Sequence, residues 1–98
     1  GMKECDIYLP VESIKELLNR LLRIEGQVKG LQRMLKERKS CDDILIQISA
    51  VKSALNSVAI KLLKDHAEYC VKPGIEYGDI RAFEDFMGAL EKLIKGGC

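Results

Sequence analysis

The chain has 98 residues, of which 47% are hydrophobic and 32% are charged, and its formal net charge is +1. A chain of this length allows one domain that buries only about 60–70% of its unfolded surface, so a self-sufficient core is not expected. No apolar run approaches the ~20 residues of a membrane span and no signal-peptide pattern opens the chain, which predicts a cytoplasmic protein without a membrane partner.

Residues 13–38 are predicted to form a first long helix. Ser13 and Glu16 have the spacing of a capping box, and Pro10 lies just upstream. Residues 1–12 are expected to form a flexible tail, in which Gly1 is interpreted as a remnant of tag removal. The helix carries apolar residues in a heptad pattern, which is typical of a helix packed along another helix: Ile14, Leu17, Leu21, Ile24, Val28, Leu31 and Leu35.

A second helix is predicted from about residue 41 to residue 69. Ser40 is its expected N-cap, and the acidic pair 42–43 suits the positive end of the helix dipole. The Pro73-Gly74 pair is predicted to end it, with residues 71–78 as a loop. A third, shorter helix is expected over 79–95, capped by Asp79 and followed by a short tail, 96–98.

Two long amphipathic helices joined by a tight turn predict an antiparallel hairpin. A hairpin alone has no third layer, so its apolar faces would remain exposed. Two hairpins packed into a four-helix bundle would cover them. The expected fold is therefore all-α, with a three-helix protomer that is incomplete as a monomer and forms a homodimer.

One imidazole and two thiols stand out as candidate metal ligands: Cys41, His66 and Cys70. His66 and Cys70 are four residues apart, so a regular helix places them one turn apart on one face. Cys41 precedes His66 by 25 residues, about 37 Å along a continuous helix. These ligands can meet only if the second helix packs antiparallel against its copy, which creates two equivalent sites per dimer.

Two thiolates and one imidazole form a soft donor set that favours Cu(I), with Zn(II) or another soft metal as alternatives. Three donors without an evident fourth suit trigonal Cu(I) better than tetrahedral structural zinc. A purely structural interpretation stays open at this point, with both thiols as small buried hydrophobic groups and the histidine at the surface.

Three segments resemble the CsoR/RcnR family of metal- and stress-sensing transcriptional repressors. Residues 20–30 (RLLRIEGQVKG) with 33–35 (RML) are similar to the family's first-helix signature, and residues 41–51 (CDDILIQISAV) to the start of its second helix. Asp65-His66 with Cys70 resembles its later ligand block. The resemblance covers about residues 10–95 and implies a three-helix protomer, an antiparallel dimer and a dimer of dimers.

Within that family, the Cys-His-Cys pattern resembles the copper(I)-sensing branch. The nickel/cobalt branch has a histidine at the position of Cys70 and a further histidine near Leu9, whereas the persulfide-sensing branch lacks the histidine found here as His66. The resemblance also places an acidic residue that supports the ligands on the third helix, at Asp85 or Glu84. Ser40 departs from the tyrosine that often precedes the first ligand in the copper branch.

The net charge hides a basic segment. Residues 11–40 contain eight Lys or Arg and four Asp or Glu, a surplus of +4, which predicts binding to an anionic partner such as DNA. The resemblance makes Arg20 the first candidate for contact with operator DNA. The other candidates lie on the polar sides of the first two helices: Arg23, Lys29, Arg33 and Lys52.

The sequence therefore predicts a repressor whose metal-free form binds operator DNA and releases it on binding Cu(I), which derepresses copper homeostasis genes. Two alternatives remain: a repressor of the same family that senses persulfide or another metal, and a metal-binding helical bundle without DNA function. An enzyme is not expected, nor a small-molecule substrate, because no nucleophile–base pair, phosphate loop or paired catalytic carboxylates accompany the single histidine.

Overall fold

The structure is a computed structural model that describes residues 9–96, and within this range the chain contains helices and turns but no strands. Its elements are α1 (Val11–Lys36), α2 (Cys41–His66), a π-helical turn (Ala67–Val71), α3 (Lys72–Glu76) and α4 (Ile80–Gly96). The all-α, three-helix prediction is confirmed, because α2, the π-helical turn and α3 form one continuous helical segment between α1 and α4. The predictions for residues 1–8 of the N-terminal tail, including Gly1, and for residues 97–98 of the C-terminal tail lie outside the described residues.

Helix α1 begins at Val11, before the predicted start, and the capping box at Ser13 is wrong. The N-cap is Pro10, whose φ of −61° and ψ of 154° direct the chain into the helix without a side-chain cap. The Ile14 N–H donates to the Pro10 carbonyl oxygen at 3.1 Å, so Ser13 lies inside the first turn and is buried. The helix ends at Lys36 because Arg38 adopts a left-handed conformation, with φ of 57°.

The predicted end of the second helix and the loop over 71–78 are also wrong. Helical structure continues through a π-helical turn and α3 to Glu76, and the reversal lies at residues 77–79. Pro73 cannot donate a backbone hydrogen bond and would clash with the carbonyl four residues earlier in a regular α-helix. The turn before it is widened, with the Lys72 N–H bonded to the Ala67 carbonyl oxygen, so the helical path accommodates the proline.

The two predicted polar caps are confirmed. The Ser40 hydroxyl oxygen accepts the Asp43 N–H at 3.1 Å at the start of α2. Asp79 Oδ1 accepts the Arg81 N–H at 3.0 Å, and α4 begins one residue later than predicted, at Ile80. Both side chains satisfy a backbone donor that the first helical turn leaves without an intrahelical partner.

Helices α1 and α2 pack as the predicted hairpin and leave many of their large apolar side chains exposed. Among the described residues, the buried hydrophobic side chains are Ile24, Val51 and Val71. The molecule measures 56 × 28 × 20 Å. Within residues 9–96, α4 contacts α2 and its continuation but not α1, so no third layer covers α1 in this part of the chain. Several residues of the heptad pattern are among the exposed large hydrophobic residues: Ile14, Leu21, Val28 and Leu35.

The second helical segment is strongly apolar. By length and composition alone, the segment Cys41–Glu76 is long and apolar enough to cross a membrane, with a mean hydropathy of 1.3 in its most apolar window. Core helices of soluble proteins have the same property. An apolar face without cover in one chain is what the predicted packing against a second copy requires.

Candidate metal centre and nucleic-acid interface

His66 is the last residue of α2 and is half-buried against α4. Its imidazole stacks on the Phe86 ring, with the ring centroids 6.0 Å apart and an interplanar angle of 27°. Helix α4 therefore fixes one side of the imidazole. This contact depends on the reversal at residues 77–79, which returns α4 alongside the end of α2.

Cys41 lies at the other end of the same helix. It is the first residue of α2, and its thiol is free and exposed. Because α2 has 26 residues at about 1.5 Å each, its two ends are nearly 40 Å apart. In the part of the chain that the structure describes, no three Cys, His, Asp or Glu side chains come together as a metal site. One chain thus separates Cys41 from His66, as helix length predicts.

Cys70 lies in the π-helical turn, which changes the predicted relation between two ligands. His66 and Cys70 were expected one regular α-helical turn apart, but residues 67–71 are π-helical. A π-helix has i→i+5 hydrogen bonds, so a spacing of four residues falls short of a full turn. The assumption of a regular turn is therefore wrong.

The acidic candidates for support of the ligands, Asp85 and Glu84, are both exposed on α4. Neither forms an ion pair or a side-chain hydrogen bond with another residue in the described range. Asp85 directly precedes Phe86, the residue that contacts His66. Their role at the ligands stays a prediction, because any contact they make with a ligand of a second chain lies outside a single protomer.

A buried carboxylate adjoins His66, and its importance was not foreseen from the sequence. Asp65 is 8% exposed, and its Oδ1 accepts a hydrogen bond of 3.1 Å from Lys61 Nζ. Its Oδ2 lies 3.0 Å from the same ammonium, but it is shielded from solvent and has no well-aligned hydrogen bond within the described residues. The i,i+4 spacing of Lys61 and Asp65 is a signal that could have identified this pair.

Lys61 also connects α2 to α1. Its Nζ lies 3.4 Å from Glu16 Oε1, and Glu16 Oε2 lies 3.0 Å from the Arg20 guanidinium. Arg20 in turn donates a hydrogen bond of 2.7 Å to the Ser57 hydroxyl oxygen on α2. We call the four charged residues Arg20, Glu16, Lys61 and Asp65 the ion-pair network. It runs without interruption from the end of α2 to the first DNA-binding candidate.

The charges in this network stabilise one another. The hydrogen bond from Arg20 lowers the pKa of Glu16, and Lys61 adds to this effect against a smaller rise from burial. The hydrogen bond to Asp65 raises the pKa of Lys61, again against burial and with support from Glu16. Each shift favours the charged form, as expected when oppositely charged groups approach this closely.

Arg20 and Arg23 line the same groove between α1 and α2. The groove has a volume of about 460 Å³, and its other walls include the Ile24 and Gln27 side chains of α1 and Ser57 of α2. Arg20 is about one-third exposed and Arg23 is exposed. The structure therefore brings two of the five DNA-binding candidates together.

The other three candidates are exposed but do not lie in this groove. Lys29 follows Arg20 by about two and a half helical turns, so it lies on the opposite side of α1. Arg33 shares the face of Lys29, one turn further, and its guanidinium lies near Gly30. Lys52 projects from α2. A single DNA face that includes all five requires more than one chain.

Comparison with known proteins identifies the family. A model of the family described as metal-sensitive transcriptional repressors matches residues 13–95. The chain belongs to this family. It is 46% identical over 81 residues to the copper-sensing transcriptional repressor CsoR of Bacillus subtilis strain 168, covering 82% of this chain and 80% of that protein.

Further relatives sense two different metals. The chain is 54% identical to the copper-sensing transcriptional repressor RicR of Mycobacterium tuberculosis H37Rv. The match extends over 59 residues, which are 60% of this chain and 62% of RicR. The crystal structure of the copper-sensing repressor CsoR with Cu(I) from Geobacillus thermodenitrificans matches with a TM-score of 0.81 at 38% identity, covering 87% of this chain and 90% of that chain. The nickel-responsive regulator InrS matches with a TM-score of 0.73 at 35% identity, covering 81% and 90%.

Proposed function

We propose that this repressor binds operator DNA in its metal-free form and releases it when Cu(I) binds between two chains. The observation that carries the proposal is the separation of Cys41 and His66 to opposite ends of α2 in a chain of the metal-sensitive repressor family. Helices of two chains packed antiparallel would bring Cys41 of one chain beside His66 and Cys70 of the other. The exposed apolar surface of α1 and α2 supports such an assembly.

The donor chemistry supports Cu(I) as the effector. Two thiolates and one imidazole are a soft set, whereas nickel sites usually contain more nitrogen or oxygen donors. Cys41 is exposed, so its thiol is accessible to a second chain, and the stack on Phe86 restricts the imidazole of His66. Cu(I) bound there would supply bonds that join the two chains, and the copper-sensing relatives support this choice over nickel.

The basic residues of α1 supply the proposed DNA contacts. Arg20 and Arg23 share one groove, while Lys29 and Arg33 lie on another face of the helix. In an oligomer these faces repeat, so the surplus of +4 in residues 11–40 is multiplied into an extended positive surface. Because relatives with this function are bacterial transcriptional repressors, we place the activity in the cytoplasm, with operator DNA and further copies of the chain as partners.

The test is the affinity for DNA with and without Cu(I). A duplex selected by the metal-free protein from a randomised library serves as the probe, and fluorescence anisotropy gives its Kd for metal-free and anaerobically Cu(I)-loaded protein. We expect Cu(I) to raise Kd by about tenfold or more, within the range of typical allosteric coupling. Equal values of Kd would contradict the proposal.

Matched variants make this test specific. His66→Ala should retain some Cu(I) binding but lose most of the effect on Kd, and X-ray absorption of the wild type should show two sulfurs and one nitrogen around copper. A Cys5→Ser/Cys98→Ser variant keeps Cys41 and Cys70 and should behave like the wild type. Arg20→Ala should lose DNA affinity, and an unchanged Kd would show that Arg20 does not contact DNA. Failure of the metal-free protein to select any duplex would favour a metal-binding bundle without DNA function.

A further inference from the structure

The proposed DNA contact Arg20 is already occupied in the structure. Its guanidinium contacts the Glu16 carboxylate at 3.0 Å and donates to the Ser57 hydroxyl oxygen at 2.7 Å. A DNA phosphate that approaches this guanidinium competes with the Glu16 carboxylate for the Nη2 donor, and it meets a positive charge that Glu16 already partly neutralises. Glu16 is therefore placed to weaken DNA binding.

The strength of this competition depends on Lys61. Its ammonium lies 3.4 Å from Glu16 Oε1, so Glu16 is shared between two cations. Lys61 therefore weakens the attraction between Glu16 and Arg20. Lys61 is also the cation that neutralises Asp65, with contacts of 3.0 and 3.1 Å to the two carboxylate oxygens. Since Asp65 is buried and Glu16 is half-exposed, separation from Asp65 is the costlier of the two changes. We therefore expect Lys61 to follow Asp65 when that carboxylate moves.

Asp65 is linked directly to the proposed metal ligands. It precedes His66 in the last turn of α2, and the π-helical turn Ala67–Val71 follows at once. A regular helix is rigid, so a displacement of one residue moves its neighbour. π-Helical turns such as the one that follows His66 are frequent at functional sites. We therefore expect a change in the position of His66 to displace Asp65 and to change the distance between Lys61 and Glu16.

We propose that the ion-pair network couples the His66 end of α2 to Arg20, with Glu16 as a built-in competitor of DNA phosphate for the Arg20 guanidinium. When Lys61 moves away from Glu16, the carboxylate is left to Arg20 alone and holds it more strongly, which favours release of DNA. When Lys61 lies against Glu16, Arg20 is freer to bind phosphate. This mechanism rests on the proposed function and assigns positioning roles to Glu16 and Lys61.

The first arm of the test compares two glutamates of α1. Glu16→Gln and Glu25→Gln change the charge of the chain equally, but Glu25 is exposed and forms no ion pair with any residue in the described range. With the selected duplex as the probe, we expect metal-free Glu16→Gln to bind about two- to fivefold more tightly than Glu25→Gln. Equal affinities of the two variants would show that Glu16 does not compete for Arg20.

The second arm measures the ratio of Kd with Cu(I) to Kd without it. Lys61→Met removes the charge and keeps most of the stem, whereas Lys61→Arg preserves the charge. We expect Lys61→Met to lower the ratio by about threefold or more while it binds as many Cu(I) ions as the wild type. Lys61→Arg should keep the ratio of the wild type. A Lys61→Met/Asp65→Asn variant removes both charges together, so it should show the same loss even if the single variant is unstable.

The outcomes separate this mechanism from the function on which it rests. If Cu(I) leaves the Kd of the wild type unchanged, the proposed function fails and the coupling role of Lys61 fails with it. If the wild type responds and both Lys61→Met variants keep its ratio, the proposed function stands and the network is not the link. A lower ratio in the Lys61→Met variants together with tighter binding by Glu16→Gln supports the whole mechanism.

Discussion

Gly74 provides a quantitative test of how α3 and α4 meet. A Cβ atom added at Gly74 would lie 2.7 Å from the Ala82 Cβ on α4, and its next nearest neighbour is the Asp79 Cβ at 3.8 Å. Carbon atoms in ordinary contact are separated by about 3.5–4.0 Å. Gly74→Ala therefore requires α4 to move by about 1 Å, because the Ala82 Cβ cannot rotate away.

Two effects of opposite sign decide the stability of this variant. Overpacking costs about 1–3 kcal/mol, whereas replacing a helical glycine by alanine gains about 1 kcal/mol. We expect a net loss of about 1 kcal/mol in the free energy of unfolding, which lowers Tm by about 4–8 °C. Because Ala82 and Phe86 lie on the same helix, the displacement should also weaken the stack between Phe86 and His66.

The assay is thermal unfolding followed by circular dichroism at one fixed protein concentration, because association makes Tm concentration-dependent. Gly88→Ala is the matched control: Gly88 lies in α4, and a Cβ there meets nothing within 4 Å. We expect Gly88→Ala to keep or raise Tm. The reasoning would be refuted if Gly74→Ala were as stable as Gly88→Ala.

Three further predictions follow from local geometry. Arg38→Gly should stabilise the protein by about 0.5–1 kcal/mol, because Arg38 has a positive φ that glycine adopts without strain. Ser40→Ala should cost about 1 kcal/mol, since its hydroxyl oxygen caps α2. The affinity ratio between Glu16→Gln and the wild type should not change from pH 6 to pH 8, because the lowered pKa of Glu16 and the raised pKa of Lys61 keep both groups charged.

Each of these predictions has its own control. Urea unfolding measures the first two predictions. Arg38→Gly is compared with Lys39→Gly, and Ser40→Ala with Ser53→Ala, a change at an exposed position in the middle of α2. Equal stabilities within either pair would contradict the geometry. For the third, the Glu16 contribution should disappear only in acid, as the pH falls through the lowered pKa of Glu16 and the carboxylate is protonated. A ratio that changes between pH 6 and pH 8 would show that another titrating group controls Arg20.

Local signals predicted part of the fold well. The cap at Ser40 was found because it depends on residues within one helical turn. Ser13 is not the cap because the helix begins earlier, after Pro10. The sequence contained two plausible start signals, and the fixed φ of the proline determined which one the helix uses. Pro73 was predicted to end the second helix, but helical structure continues past it. The π-helical turn before Pro73 accommodates a residue that normally ends a helix.

The candidate site was less accessible to sequence reasoning. The ligand candidates Cys41, His66 and Cys70 follow from residue type and spacing, and their separation in one chain follows from helix length. The contact between His66 and Phe86 depends on how α4 returns after the reversal, for which a sequence pattern contains no signal. The cross-helix contact of the ion-pair network, between Glu16 and Lys61, likewise requires the relative placement of α1 and α2.

The most direct test of the account is complementation between two defective chains. Cys41→Ala lacks one proposed ligand and Cys70→Ala lacks another, so neither variant alone should contain a complete site. In a mixed dimer, Cys41 of the Cys70→Ala chain would join His66 and Cys70 of the Cys41→Ala chain. After random re-association half of the dimers are mixed and each has one of two sites complete, so about a quarter of wild-type Cu(I) sites should return.

The measurement is an anaerobic Cu(I) titration against a competing chelator, in the Cys5→Ser/Cys98→Ser background, before and after the two variants are unfolded together and refolded. The account predicts almost no high-affinity binding before mixing and recovery of about a quarter of the wild-type sites afterwards. No recovery after mixing, or full high-affinity binding by Cys41→Ala alone, would contradict a site shared between two chains.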